Sequence, residues 1–155
     1  MRLQTLSADD ERRVRDSFAN QAVMRELGVS LHAIGAGTNE MVFDHDDRFT
    51  QQHGFLHAGI LTTVLDSACG YAAFSLMHPD AAVLTVDFRV NLLRPAQAER
   101  YHVAAQTVRH GRTLTVCTAA VGPGDVGRRD GDHDVESFAI MTATLISLVG
   151  ATVQQ

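Results

Sequence analysis

Gln51, Gly54, His57, Ala58, Gly59 and Asp66 stand at a spacing suited to chemistry on a carbonyl group. Small residues follow His57, so a helix starting there presents bare N–H groups at its N-terminus. Those of Ala58 and Gly59 are placed to grip a carbonyl oxygen and stabilise an oxyanion. Asp66 projects from a mostly apolar stretch, where an isolated carboxylate is costly without a partner or a function. Gln51 offers a donor and an acceptor, suited to orienting a water molecule. Each residue alone has an ordinary structural role: first helical residue, hydrogen-bonded carboxylate, loop amide. Their combination is what points to chemistry.

A helix must carry these groups, and the sequence supplies one. From His57 to about Met77 the chain runs Ile60/Leu61, Val64/Leu65, Ala68/Cys69, Ala72/Ala73 and Leu76/Met77, and Pro79 stops it. At ~100° per residue this apolar arc spans roughly 200°, too wide for a surface helix. The helix is expected to be buried on most sides, with Thr62, Thr63, Asp66, Ser67 and Gly70 on the remaining arc. Strands must wrap it. Residues 29–34 and 39–44 read as strands, with Gly35 and Gly37 allowing a bend or bulge between them. Leu84, Val86, Phe88, Val90 and Leu92 alternate with Thr85, Asp87, Arg89 and Asn91, and Pro95 ends that strand. That parity places Thr85 on the Asp87/Arg89 face. Residues 101–109 and 112–121 flank a hairpin turn, Arg109-His110-Gly111-Arg112, and residues 136–149 form the last strand. Ahead of these, Ser7 and Asp10 cap a helix over residues 8–27, ended by Gly28. The order predicts an α+β fold of one domain, residues 1–155. A curved antiparallel sheet, its later strands joined largely by hairpins, wraps a long central helix, with an N-terminal helix added.

Other chemistry is excluded by what is missing. All 13 basic residues are arginine. Without lysine there is no Gly-Lys-Ser/Thr phosphate loop, no Schiff base and no Ser-Lys dyad. A net charge of −5 argues against a nucleic-acid partner. The GxGxxG match from Gly122 to Gly127 precedes no apolar helix and sits in no βαβ unit. Asp130, Asp132 and Asp134 start like a calcium loop, but Val135 replaces the turn glycine and Met141 the bidentate acid. His53 and His57 lack the intervening Glu of a zinc helix, so no metal or cofactor is expected. Cys69 and Cys117 lack CxxC spacing and read as reduced core residues, which points to the cytoplasm. His32, His45, His78, His102 and His133 read as surface or loop. No signal-peptide core and no run of ~18 apolar residues is present, so no membrane partner is expected.

The helix itself imposes a constraint. Nine residues at ~1.5 Å rise put Asp66 roughly 13 Å along the axis from His57. Within one chain, Asp66 cannot meet a substrate held at that helix's own N-terminus. Two antiparallel copies of the helix, each lending its Asp to the other, would build the site at a dimer interface.

At these residues the chain resembles the hotdog-fold acyl-CoA thioesterases of the phenylacetate-pathway (PaaI-like) type. The pattern stands here as Gln51, Gly54, His57-Ala58-Gly59 and Asp66. The Ser67-Ala68-Cys69-Gly70-Tyr71-Ala72-Ala73 run resembles the family's central helix, and the run from Val86 to Pro95 its second strand. The resemblance covers residues 18–149. It implies that Asp66 acts as nucleophile or general base on the thioester carbonyl. The Ala58 N–H would polarise that carbonyl, Gln51 and His57 would position thioester or water, and Thr85 would support the acid. Gly54 and Gly59 would fall in the substrate-binding part of the pattern. Ala58 replaces the usual glycine, which keeps the N–H and adds a methyl group. The resemblance further implies an acyl-CoA substrate with a small or medium acyl group, aryl ones included, and a homodimer as the minimal unit of a homotetramer. Phe55, Tyr71, Phe74 and Met77 are candidates to line the acyl site. Only arginine is available for the CoA phosphates, and Arg109 and Arg112 form the best-placed cluster, with Arg128 and Arg129 second. A non-catalytic acyl-CoA or acyl-carrier binding protein is the alternative. Hydratase Asp-x4-His and dehydratase Pro-Gly-His signatures are absent.

Overall fold

A computed structural model describes residues 5–124 and 136–150. Gly127, Arg128, Arg129, His133 and the aspartates at 130, 132 and 134 lie outside them.

Ser7 caps α1 (Ala8–Asn20): its Oγ accepts from the Asp10 N–H at 3.1 Å. The expected single helix over 8–27 is broken at Gln21, which is extended (φ −76°, ψ 100°), and α2 (Ala22–Glu26) follows. Packing explains the break. Val14 and Leu27 are both buried, yet on an unbroken helix at ~100° per residue they would lie about 140° apart. The kink turns Met24 and Leu27 inward. Arg13 ties α1 to the core: its guanidinium donates to the carbonyls of Phe74 and Met77, both at 3.2 Å, and stacks on the Phe74 ring.

β1 (Ser30–Gly35) and β2 (Thr38–Asp44) pair across a tight turn at Ala36 and Gly37. Gly37 has φ +75°, and its N–H donates to Ser75 Oγ at 2.7 Å. A Cβ there would lie 3.0 Å from Leu76 and 3.3 Å from Thr107. Gly28 shares the left-handed geometry, at φ +65°, with nothing within 4 Å. Gly28→Ala should therefore cost only the conformational strain, roughly 1–2 kcal/mol. Gly37→Ala should cost that plus crowding, and a larger fall in the urea midpoint for Gly37→Ala checks it.

After a 3-10 turn at Asp47–Phe49, α3 (Ala58–Phe74) runs through the middle of the molecule. Most of its residues are buried, including Leu61, Val64, Leu65, Ala68, Cys69, Ala72 and Ala73. Of the arc expected to stay open, Thr62, Thr63, Asp66 and Gly70 are half-buried, while Ser67 is buried. The strands β3 (Ala81–Leu92), β4 (Arg100–His110), β5 (Leu114–Pro123) and β6 (Ala139–Val149) complete an antiparallel sheet of order β1-β2-β4-β5-β6-β3. Its inner face carries Ala105, Cys117, Ala119, Ala139 and Ala143, all buried. Small side chains on both sides let helix and sheet approach closely, which dispersion rewards. Asn39, wholly buried on β2, donates to the Ala68 carbonyl at 2.7 Å and pins strand to helix.

Two expectations are corrected. β4–β5 and β5–β6 are sequential pairs, but β3 does not pair with β4; it crosses to the far edge and pairs with β6. His102 is not a surface residue: it is 4 % exposed, its Nε2 lying 3.3 Å from Glu40 Oε2. Cys69 and Cys117 are free and buried, and burial pushes both thiols up from their ordinary values.

Candidate active site

His57 is the N-cap of α3, in extended geometry (φ −63°, ψ 136°), and its Nδ1 accepts from the Gly59 N–H at 2.9 Å. The cap has two consequences. Nδ1 is an acceptor, so the neutral ring carries its proton on Nε2 and offers that N–H outward. The Gly59 N–H, expected to be free for a carbonyl, is taken. The Ala58 N–H remains without a partner among the described residues. It sits at the positive end of a helix of 17 residues.

Gln51 and Gly54 shape the loop before the cap. Gln51 N–H donates to the Phe55 carbonyl at 2.9 Å, and Gly54 N–H to the Gln51 carbonyl at 3.0 Å. Gly54 has φ +82°, which a side chain would strain. The Gln51 Oε1 accepts from the His53 N–H, so the amide oxygen is turned onto its own loop. The Gln51 side chain is half-buried.

Asp66 lies on the half-buried face of α3, two turns further on. Its Oδ1 accepts from Thr85 Oγ1 at 2.8 Å, leaving Oδ2 without a hydrogen-bond partner among the described residues. The expectation that Thr85 shares a face with Asp87 and Arg89 fails because β3 carries a bulge between Thr85 and Asp87. Before the bulge, Thr85 pairs with buried Leu145 and faces the helix. Leu84, one residue away, is 48 % exposed. The bulge also moves the apolar alternation between faces: Leu84 points outward, while Phe88 and Val90 pair with buried Ala143 and Met141 on the face that Thr85 shares.

Beside this carboxylate opens a cleft of about 460 Å³. Tyr71, Phe74, Val83 and Leu145 give it apolar walls, while Phe55 and Met77, expected as acyl lining, are elsewhere. Ser17, Asn20 and Gln21 from the α1–α2 break form another wall, with no sequence signal to announce them. Arg109, near the end of β4, and Arg112, in the turn to β5, are exposed. Neither side chain has an ion-pair or hydrogen-bond partner among the described residues. Through the pairing of β5 with β6 and of β6 with β3, this turn sits at the C-terminal end of α3.

The structure thus gathers the predicted residues into two groups on one helix. Gln51, Gly54, His57, Ala58 and Gly59 surround its start, while Asp66 and Thr85 meet near its middle. Among the described residues no group of His, Cys, Asp and Glu can hold a metal ion, and no helix is long and apolar enough to cross a membrane.

A long buried helix wrapped by one curved antiparallel sheet, with an N-terminal helix added, defines a hotdog fold. A family model described as the thioesterase superfamily matches residues 53–126. A thioesterase family protein from Silicibacter pomeroyi is 53 % identical, with 91 % of this chain and 99 % of that chain covered and a TM-score of 0.83. A Halobacterium salinarum protein provisionally named as an esterase is 32 % identical over 120 residues, 74 % of this chain and 79 % of its own. The Escherichia coli PaaI protein, from the phenylacetic acid degradation operon, shares the fold at a TM-score of 0.79 and 18 % identity. That match covers 95 % of this chain and 99 % of that one. The chain belongs to the thioesterase superfamily, and its reaction class is thioester hydrolysis.

Proposed function

We propose that this chain hydrolyses small or medium acyl-CoA thioesters, aryl ones included, at two sites of a homodimer. Each site would join Asp66 and Thr85 of one protomer to the partner's Gln51, the partner's His57 and the partner's Ala58. One observation carries the reading: the anchored Asp66 carboxylate and the bare Ala58 N–H lie on the same helix, about 12 Å apart along its axis, eight residues at ~1.5 Å. One thioester carbonyl cannot bridge them. The edge strand β3 supplies the pairing surface. It is 12 residues long, has one edge unpaired among the described residues, and exposes Leu84, Val86, Phe88 and Leu92. An exposed apolar edge of this length is an open template for a second strand. Antiparallel pairing of two such edges continues the sheet and lays the two copies of α3 side by side in opposite directions.

The carbonyl oxygen of the thioester accepts from the Ala58 N–H, which stabilises the oxyanion as it forms. Asp66 either takes the proton of a water that attacks the carbonyl carbon, or attacks that carbon itself. In both routes the C–S bond breaks and the CoA sulfur leaves as thiolate, protonated to the thiol. In the second, water then cleaves the acyl-Asp66 anhydride. A panel of acyl-CoAs assayed by thiol release tests the assignment: hydrolysis of at least one short or medium member supports it. Binding without any thiol release would leave a non-catalytic acyl-CoA binder.

Arg109 and Arg112 are proposed to meet the CoA phosphates. Phosphate contacts distant from the reacting carbon bind substrate and transition state alike, so Arg109→Ala or Arg112→Ala should raise KM several-fold with little change in kcat. An equal fall in kcat would place these side chains nearer the chemistry.

A further inference from the structure

The cleft beside Asp66 is longer than a thioester group requires. It follows α3 from Asp66 past Gly70 to Phe74, eight residues or about 12 Å. Its volume, about 460 Å³, is that of a small-molecule site. Gly70 keeps the floor low. A Cβ at that position would meet only Leu145 Cδ2, at 3.8 Å, so the room above it belongs to the cleft.

The wall from α1 is polar where an apolar chain would want hydrocarbon. Gln21 leaves helical geometry although glutamine is a good helix former, and the break makes it part of the cleft wall. Its Oε1 is buried without a hydrogen-bond partner among the described residues. A buried acceptor left unpaired is costly, and a missing ligand group is one way to satisfy it. Nearby, Ser17 Oγ lies 3.4 Å from the Tyr71 hydroxyl, a long contact. Burial raises the Tyr71 phenol above its ordinary value, so this group remains a neutral hydroxyl. The wall therefore offers two side-chain amides and neutral hydroxyls, and no charge, with the Gln21 Oε1 as its unpaired acceptor.

We propose that the cleft holds the acyl chain and that Gln21 selects acyl groups bearing a hydroxyl near their far end, which donates to Gln21 Oε1. This rests on Asp66 marking the thioester position. Gly70 then sets how much chain fits between the reacting carbon and the polar wall.

Thioether analogues of coenzyme A, which cannot be hydrolysed, separate binding from turnover. S-octyl-CoA and S-(8-hydroxyoctyl)-CoA, with hexyl and decyl counterparts, are titrated into the full-length chain by calorimetry. At the best-fitting length the hydroxylated form should bind about tenfold tighter, since a site built for a hydroxyl rejects the analogue that lacks it. Gln21→Leu should erase that preference. Gly70→Ala replaces a helical glycine by a better helix former, so the fold is kept. It should weaken S-octyl-CoA relative to S-butyl-CoA by about tenfold. Equal affinity for the two octyl forms, a preference that survives Gln21→Leu, or an unchanged octyl-to-butyl ratio in Gly70→Ala overturns the proposal. Failure of the catalytic reading looks different: the thioethers bind with the stated preference while the matching thioesters release no thiol.

Discussion

Asp66→Asn and Asp66→Ala should each lower kcat for thioester hydrolysis by about 10²–10⁴-fold, the range a positioned acid or base contributes. The two substitutions remove different things. Asparagine keeps the shape and an oxygen able to accept from Thr85 Oγ1, now 2.8 Å from Asp66 Oδ1. It deletes the charge and the basicity. Alanine deletes the group altogether and leaves Thr85 facing a wet cleft. Neither change should unfold the protein, because Asp66 is half-buried and Thr85 is its only side-chain hydrogen-bond partner among the described residues. Alanine is also a better helix former than aspartate. Far-UV circular dichroism and thermal melting should therefore stay close to wild type while thiol release collapses. Unchanged turnover in both variants would remove Asp66 from the chemistry. Single-turnover hydrolysis in heavy-oxygen water then separates the two routes. Attack by Asp66 leaves label in its carboxylate when water cleaves the anhydride at the aspartyl carbon, and gives an acyl-Asp66 that hydroxylamine traps when water cleaves it at the acyl carbon. Base catalysis gives neither and sends the label only to the released acid.

The residues that carry this reading were legible for a physical reason. A four-residue beat of paired apolar positions demands a buried helix, and a carboxylate on such a helix needs a reason to be there. The helix start followed from His57, while its end at Phe74 comes three residues before the expected Met77. What stayed hidden depended on contacts distant in sequence. Gln21 breaks α1 from α2 because Val14, Met24 and Leu27 must all reach the core, a demand no local propensity records. Thr85 was placed by strand parity, and parity is reset by the bulge before Asp87. The same bulge moves the apolar residues from the outer face at Leu84 to the face of buried Ala143 and Met141 at Phe88 and Val90, so alternation alone does not say which face meets the chain's own helix. The cap was half legible. His57 marks the helix start, but only the side-chain geometry shows that Nδ1 takes the Gly59 N–H and leaves Ala58 bare. His102 read as surface because its partner, Glu40, lies 62 residues away on the neighbouring strand.

Ala58 allows the oxyanion hydrogen bond to be removed without removing a side chain that matters. It is the first residue of α3, the position where proline is favoured, because the N–H there has no helical acceptor. The preceding residue must be extended for proline to follow, and His57 already is, at φ −63° and ψ 136°. Ala58→Pro should thus fold normally and lose one N–H. The expected cost is about 10²–10³-fold in kcat, as for loss of a single oxyanion donor. Comparison with Ala58→Gly, which keeps the N–H, separates the hydrogen bond from the effect of size at this position. The two inactive variants together then test where each half of the site comes from. If every site takes Asp66 from one protomer and the Ala58 N–H from the other, a mixed dimer of Asp66→Asn and Ala58→Pro chains contains one intact site and one doubly damaged site. Random pairing makes half of the dimers mixed, so co-expression should restore roughly a quarter of wild-type activity from two chains that are each inactive alone. If both groups act within a single protomer, no pairing of these chains contains an intact site, and the mixture remains as inactive as its components.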